Sequence, residues 1–288
     1  MIERVKEESS HEARKVAFSP LVEAWTRVGF GARGLIYFTM GLLALEVVLG
    51  KRASPADQQG ALAALGANPL GRVLLVLVLV GLAGYTLWGF IRTFFDPLHM
   101  GSDATGFIER LGNLVSPISY ASLILPTYHL LNGSGKAAHN GAQTAATQSL
   151  ASRLLATAWG PFLLGLAGVV IFGIGVGQLF QALSRKFDKQ FQMYDLSPHQ
   201  ARWIKRLGRI GIVARGIVFG MVGLFLVIAA WQLDPSKAQG LNGALGKLLQ
   251  LPYGYYLLGL VAVGLMAYGI YSMAGALWFR FKQGGRRP

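Results

Sequence analysis

The sequence has no cysteine. Disulfides, thiol catalysis and cysteine-ligated metals are therefore excluded. Charge is also sparse: 14% of the 288 residues are Asp, Glu, Lys or Arg, against about 25% in soluble domains. Acidic residues are the scarcer sign, 13 against 27 Lys and Arg. The five histidines show no His-x-x-x-His spacing. Neither a metal nor a cofactor is expected on that basis. There is no hydrolase elbow, kinase motif set, P-loop or haem-ligating histidine ladder, so the expected protein is not an enzyme. Glu3, Arg4, Lys6, Glu7, Glu8, Glu12, Arg14 and Lys15 interrupt any apolar stretch near the N-terminus. No secretory leader is expected there.

Apolar residues are abundant, at 53%, with 38 glycines. Six apolar segments stand out, at about 30–50, 70–95, 110–131, 158–183, 210–231 and 254–279. Each approaches the ~20 residues that a helix needs to cross the hydrocarbon core. The run from Val73 to Val80 is the plainest. It is rich in β-branched residues, but an isolated strand leaves its backbone unpaired in lipid. The expected fold is an all-α membrane protein with six transmembrane helices. The net charge of +14 would point to nucleic acid in a soluble chain. Here the basic residues flank apolar runs, so anionic lipid is the expected partner and nucleic acid is not. With six spans, 20 of the 27 Lys and Arg fall on the side of the termini. The positive-inside rule then puts both termini in the cytoplasm.

The chain also repeats itself. Arg27-Val28-Gly29-Phe30-Gly31-Ala32-Arg33-Gly34 matches Arg209-Ile210-Gly211-Ile212-Val213-Ala214-Arg215-Gly216 at Arg, Gly, Ala, Arg and Gly, at an offset of 182. The same offset aligns Tyr37 with Phe219 and Gly41 with Gly223. A middle copy from Arg110 to Pro117 keeps the first Arg and Gly and sets Tyr120 opposite Tyr37, but loses the second Arg-Gly. Gly71, Gly81 and Tyr85 align with Gly254, Gly264 and Tyr268. Ahead of each second helix lies a short stretch, Gln59–Leu65, Gln143–Leu155 and Gln239–Leu245. These are expected to be amphipathic helices on the outer membrane face. Two crossings per unit make the three units parallel, as expected of repeats about an axis along the membrane normal. The domain reading is a segment at 1–22, units at 23–95, 106–183 and 203–281, a basic loop at 184–202 and a basic tail at 282–288.

The Arg-x-Gly-x-x-x-Arg-Gly motif, the two-helix unit and the triplication resemble the bacterial family called domain of unknown function 1206. The resemblance covers nearly the whole chain beyond residue 20. It implies a six-span integral membrane protein of the bacterial cytoplasmic (inner) membrane, with no catalytic residues and no established activity. Ser116-Pro117 departs from the pattern in the middle copy.

Arg27, Arg33, Arg110, Arg209 and Arg215 are the candidate lipid- or partner-binding residues. Two readings are open for Arg33 and Arg215. They are interfacial anchors that snorkel to headgroups, or a site for a lipid phosphate or a partner carboxylate, which the guanidinium fork suits. Glu46, His129 and Gln178 are the candidate intramembrane polar residues. Two readings are open for Glu46: it reaches water near the outer end of the first span, or, sharing a register with His129 at an offset of 83, it meets that residue directly or through water as a proton site. Gly173-x-x-x-Gly177 and Gly216-x-x-x-Gly220 are expected to pack helices. The six tryptophans fall near span ends, where they anchor the interface. The expected role is a lipid-associated scaffold or an accessory subunit whose basic cytoplasmic face meets anionic lipid or a protein partner. The alternative is a channel or small-solute transporter lined along the repeat axis.

Overall fold

The computed structural model describes residues 20–67, 69–94, 104–133, 141–184 and 196–278. The expected N-terminal segment, most of the basic loop and the basic tail lie outside them. Among the described residues the chain is wholly helical. In order come α1 (Pro20–Val48), α2 (Gln58–Gly66), α3 (Pro69–Phe94), α4 (Ala104–Leu131), α5 (Ala142–Leu155), α6 (Gly160–Leu183), α7 (Pro198–Gln232), a 3-10 turn (Pro235–Lys237), α8 (Leu241–Leu249) and α9 (Gly254–Trp278).

Among the described residues five helices, α1, α3, α6, α7 and α9, are long and apolar enough to cross a membrane. This is a multi-pass membrane protein. α4 is 28 residues long, with its side chains described from Pro117 onward. Ser119, Ser122 and Thr127, with Pro117 and Pro126, interrupt the apolar run of that part. Hydroxyls compensate locally: Thr127 Oγ1 donates to the Leu123 carbonyl at 2.6 Å and Ser122 Oγ to that of Ser119 at 2.7 Å. Boundaries shift most at α7. It starts at Pro198, inside the loop expected to run to 202, because Ser197 and Gln200 form a reciprocal capping box. Its 35 residues extend about 52 Å, well beyond a ~30 Å hydrocarbon core.

The long helices form an interrupted ring. α1 packs on α3, α3 on α4, α6 on α7, α7 on α9, and α9 returns to α1. Among the described residues, α4 and α6, the two long helices of the middle unit, do not pack along one another. Leu70, Val73, Val76, Leu77 and Val80 of α3 and Phe162, Val169 and Phe172 of α6 point outward, as lipid-facing side chains do. Trp159, Trp203 and Trp231 are exposed near helix ends.

Glycines set the contacts between units. A Cβ on Gly34 of α1 would lie 2.8 Å from the Gly269 carbonyl oxygen of α9, and one on Gly216 of α7 would lie 2.9 Å from that of Gly175 on α6. The middle unit reverses the arrangement: Pro117 of α4 fills the place, and α3 supplies Gly89, where a Cβ would come within 2.6 Å of the proline Cβ. The α6–α7 seam corrects one expectation. A Cβ on Gly173 or Gly177 would meet nothing within 4 Å, whereas one on Gly175 would lie 2.6 Å from the Gly220 backbone nitrogen. Two residues rotate a helix by about 200°, so the expected Gly-x-x-x-Gly faces away from the partner.

The short helices are also placed differently from the expectation. In α2, Gln58, Ala61 and Leu62 are buried; in α8, Leu241, Ala244, Leu245 and Leu248 are. They wedge into one end of the bundle instead of lying on a membrane face; only α5 is largely exposed. Each butts against the glycine that opens the next long helix. A Cβ on Gly71 would stand 1.5 Å from the Leu65 carbonyl oxygen, one on Gly160 1.5 Å from that of Leu154, and one on Gly254 2.4 Å from that of Leu249. The caps Asp57 and Gly240 correspond at an offset of 183, three residues from the register read in the sequence.

Candidate functional site: a buried arginine and tyrosine cluster

The motif residues divide into four tasks. Arg27 reaches the last turn of α9, donating from Nε to the Ala276 carbonyl at 2.8 Å and from Nη2 to that of Leu277 at 2.5 Å. A cation there satisfies orphan carbonyls and complements the helix dipole. Gly29 admits Tyr85: a Cβ on it would lie 2.7 Å from the tyrosine Cβ. Arg33 turns inward, and Gly34 seats α1 on α9. The third unit repeats the scheme, with a Cβ on Gly211 only 2.5 Å from Tyr268 Cα.

Neither Arg33 nor Arg215 snorkels. Arg33 is 9% exposed and lies near the midpoint of α1, about 20 Å from either end. Its Nε donates to Ser272 Oγ at 3.1 Å and its Nη1 to Tyr85 Oη at 3.2 Å. Its guanidinium lies over the Phe30, Tyr85 and Tyr268 rings, 4.7, 5.5 and 5.3 Å from their centroids. Arg215 donates from Nη1 to Tyr268 Oη and lies over Tyr37, Phe219 and Tyr268 at 5.7, 5.1 and 5.2 Å. The pairs Arg33–Tyr85 and Arg215–Tyr268 are equivalent between units 1 and 3. The middle unit has Ser116 at the arginine position and, counting from the opening glycines, Ile174 at the tyrosine position.

Tyrosines close the cluster. Tyr37 and Tyr268 meet edge to face at 4.9 Å between centroids, and Tyr85 and Tyr120 at 5.0 Å. The site thus draws on α1, α3, α4, α7 and α9, hence on all three units. Gln58 Nε2, from the tip of α2, donates to Tyr37 Oη at 3.3 Å. Tyr37 is 11 residues from the end of α1, about 16 Å along the axis. The wedged short helix therefore reaches down to the cluster.

Above it, helix N-termini converge. Asp57 caps α2 through Gly60 N at 2.7 Å and also accepts from Gln143 N at the start of α5, at 3.2 Å. Thr144 Oγ1 accepts from Gly240 N at 3.2 Å, at the start of α8, and Asn242 Nδ2 donates to the Pro55 carbonyl at 3.2 Å. Burial pushes the Asp57 carboxyl above its ordinary pKa, and the backbone donors only partly offset it.

The other sequence candidates stand apart. Arg209, equivalent to Arg27, lines a groove beside Ala182 and Leu183 at the end of α6. The Arg110 side chain lies outside the described residues. No hydrogen bond or ion pair joins Glu46 to His129; the ring contact of His129 is with its neighbour Tyr128. Gln178 packs by its Cβ, 3.3 Å from where a Cβ on Gly216 would be, and makes no side-chain hydrogen bond among the described residues. Sequence reading missed Asp57, Gln58, Tyr37, Tyr85, Tyr120, Tyr268 and Ser272 as members of one polar system. The Tyr85–Tyr268 repeat match was the available signal.

Repeated two-helix units, lipid-facing apolar walls and a polar cluster on the central axis define a multi-pass α-helical membrane protein. The chain belongs to the family described as Domain of Unknown Function (DUF1206), whose model matches it three times, at residues 28–96, 112–185 and 210–278. It is 29% identical over 259 residues to "Uncharacterized protein YxxB" of Bacillus subtilis (strain 168), spanning 90% of this chain and 92% of that one. No solved structure matches the chain.

Proposed function

We propose that this protein is a non-enzymatic, lipid-associated component of the bacterial cytoplasmic membrane, acting as a scaffold or accessory subunit. In this reading it has six spans and both termini in the cytoplasm. Support for the sixth span is the position of α4, which packs on α3 as α1 packs on α9 and α7 on α6. The charge asymmetry of the loops sets the orientation.

One observation carries the lipid reading. Two grooves, of about 540 and 480 Å³, occupy repeat-equivalent places on the bundle wall. Arg27, Val28, Ala32 and Leu35 line the first; Arg209, Ile210, Ala214 and Ile217 line the second. Both are apolar along their length, with an arginine at the terminal end. An acyl chain would fit the walls, and a headgroup phosphate would lie beside the arginine at the groove's end.

The test is native mass spectrometry of protein purified from membranes holding phosphatidylglycerol and phosphatidylethanolamine. The wild type should retain phosphatidylglycerol selectively, and an Arg27→Gln/Arg209→Gln double variant should lose that selectivity. Equal retention of both lipids by the wild type would refute the reading.

A transporter is the second reading, favoured by the line of polar side chains from Gln58 through Tyr37 and Tyr268 to Arg215. Against it, Ile36, Met40 and Leu123 fill the same core with no exposed surface. Anion flux into proteoliposomes above that of empty vesicles would establish it.

A further inference from the structure

Among the described residues, the two central arginines present a surplus of donors and positive charge that no carboxylate balances. Each guanidinium carries five N–H groups and no acceptor. Between them, Arg33 and Arg215 make three side-chain hydrogen bonds, to Ser272, Tyr85 and Tyr268. Arg215 Nε is buried without a partner. The phenol oxygens of Tyr37 and Tyr85 already accept, from Gln58 and Arg33, so their O–H groups remain to donate; Tyr268 accepts from Arg215 and also faces Ser272. The carboxylates whose side chains are described are Glu23, Glu46, Asp57 and Asp234. None is hydrogen-bonded or paired to either arginine. Asp57 is committed to backbone donors of α2 and α5.

Buried charge without a counter-charge is costly, and in a membrane interior it marks a functional place. Cation–π contacts recover only a part of the desolvation of two guanidiniums. Both arginines also share Tyr268, so their charges sit around one ring. A compensating group must bring acceptors and negative charge together.

We propose that the Arg33–Arg215 cluster binds a phosphate-type oxyanion within the bundle. Its oxygens take the free guanidinium N–H groups and the O–H groups of Tyr37 and Tyr85. A tetrahedral dianion balances both charges and matches the planar forks, which lysine could not do. Among the described residues α4 and α6 do not pack along one another, so no helix–helix seal closes that side. That side belongs to the unit whose arginine position is Ser116. The same chemistry serves free phosphate arriving from water or a phosphomonoester headgroup arriving from the bilayer. The proposal is independent of the two outer grooves.

The experiment uses the full chain in nanodiscs of phosphatidylcholine, with thermal unfolding followed by tryptophan fluorescence. One arm titrates inorganic phosphate against sodium chloride at matched ionic strength; the other titrates short-chain phosphatidic acid. A saturable rise in Tm in either arm is the expected result, and the arm that responds identifies the source. Arg215→Lys keeps the charge but loses the fork, and should weaken the midpoint about tenfold. Arg72→Gln, at an exposed arginine of α3 that lines neither the cluster nor the grooves, should leave the midpoint unchanged, which separates this site from non-specific charge. Should Arg215→Lys fail to fold, Tyr37→Phe removes one donor and should weaken the midpoint several-fold. No saturable rise in either arm, or midpoints unmoved by both Arg215→Lys and Tyr37→Phe, would overturn the proposal.

Discussion

Asp57 shows how much one side chain settles at the short-helix end. Its carboxylate terminates two helices at once, through Gly60 N and Gln143 N. Burial nevertheless holds its pKa above the ordinary aspartate value, so the folded protein takes up this proton more readily than the unfolded chain does. The sign follows: the associated stability is present at low pH and is lost as pH rises through the raised pKa. Asp57→Asn keeps the capping oxygen and removes the titration. The Tm difference, wild type minus Asn variant, should therefore fall as pH is raised from about 4 upward. Thermal unfolding in a series of buffers measures it, and a difference that grows with pH would contradict this account. The motif arginines teach the complementary lesson. Arg27 and Arg33 are identical in the sequence, yet one closes a neighbouring helix and the other enters the core. Six residues along a helix amount to about 600° of rotation, which places them on different faces.

At the scale of elements, the α6–α7 seam separates glycines that pack from glycines that face lipid. Gly175→Ala should destabilise by about 1–3 kcal/mol, because its Cβ would lie 2.6 Å from the Gly220 nitrogen with only backbone to move. Gly173→Ala meets open space and should be neutral or stabilising by up to about 1 kcal/mol, from helix propensity. Thermal unfolding of the two single variants in the same detergent compares them directly; equal losses would mean that α6 is rotated. The spacing of glycines was legible in the sequence, but the face they present was not. Helix phase is set by the partner, and the partner of α6 is α7, which the chain reaches only after an intervening loop. The short helices were misplaced for a related reason. Their sequences are amphipathic enough for a membrane face, and in α2 and α8 the apolar side is buried against the long helices, while α5 stays at the surface.

For the whole molecule, the ring closes where the last helix returns to the first. The absence of cysteine makes this directly testable. A Cβ on Gly31 of α1 would lie 3.6 Å from Ala276 Cβ on α9, within the range of about 3.5–4.5 Å that a disulfide spans. Gly31→Cys/Ala276→Cys should therefore form an intramolecular disulfide on mild oxidation, seen as a reducible mobility shift on a denaturing gel, while either single variant should not. Failure to cross-link in the folded protein would place α1 and α9 apart and open the ring.

Apolar run length, glycine content and the recurring Arg-x-Gly-x-x-x-Arg-Gly by themselves determined a triplicated, helical membrane protein. These are local quantities: a bilayer demands runs of a certain length, and a repeated unit keeps its own contacts. The register at an offset of 83 suggested a pairing of Glu46 with His129, and no direct contact between them formed. Register says which positions correspond but not which way they face. Only the tertiary structure decided that Arg33 and Arg215 meet around Tyr268, that Gln58 descends to Tyr37, and that the middle unit breaks the ring. Each of these joins residues tens to hundreds of positions apart, and close packing at glycine seams rather than sequence separation sets which side chains share the buried centre.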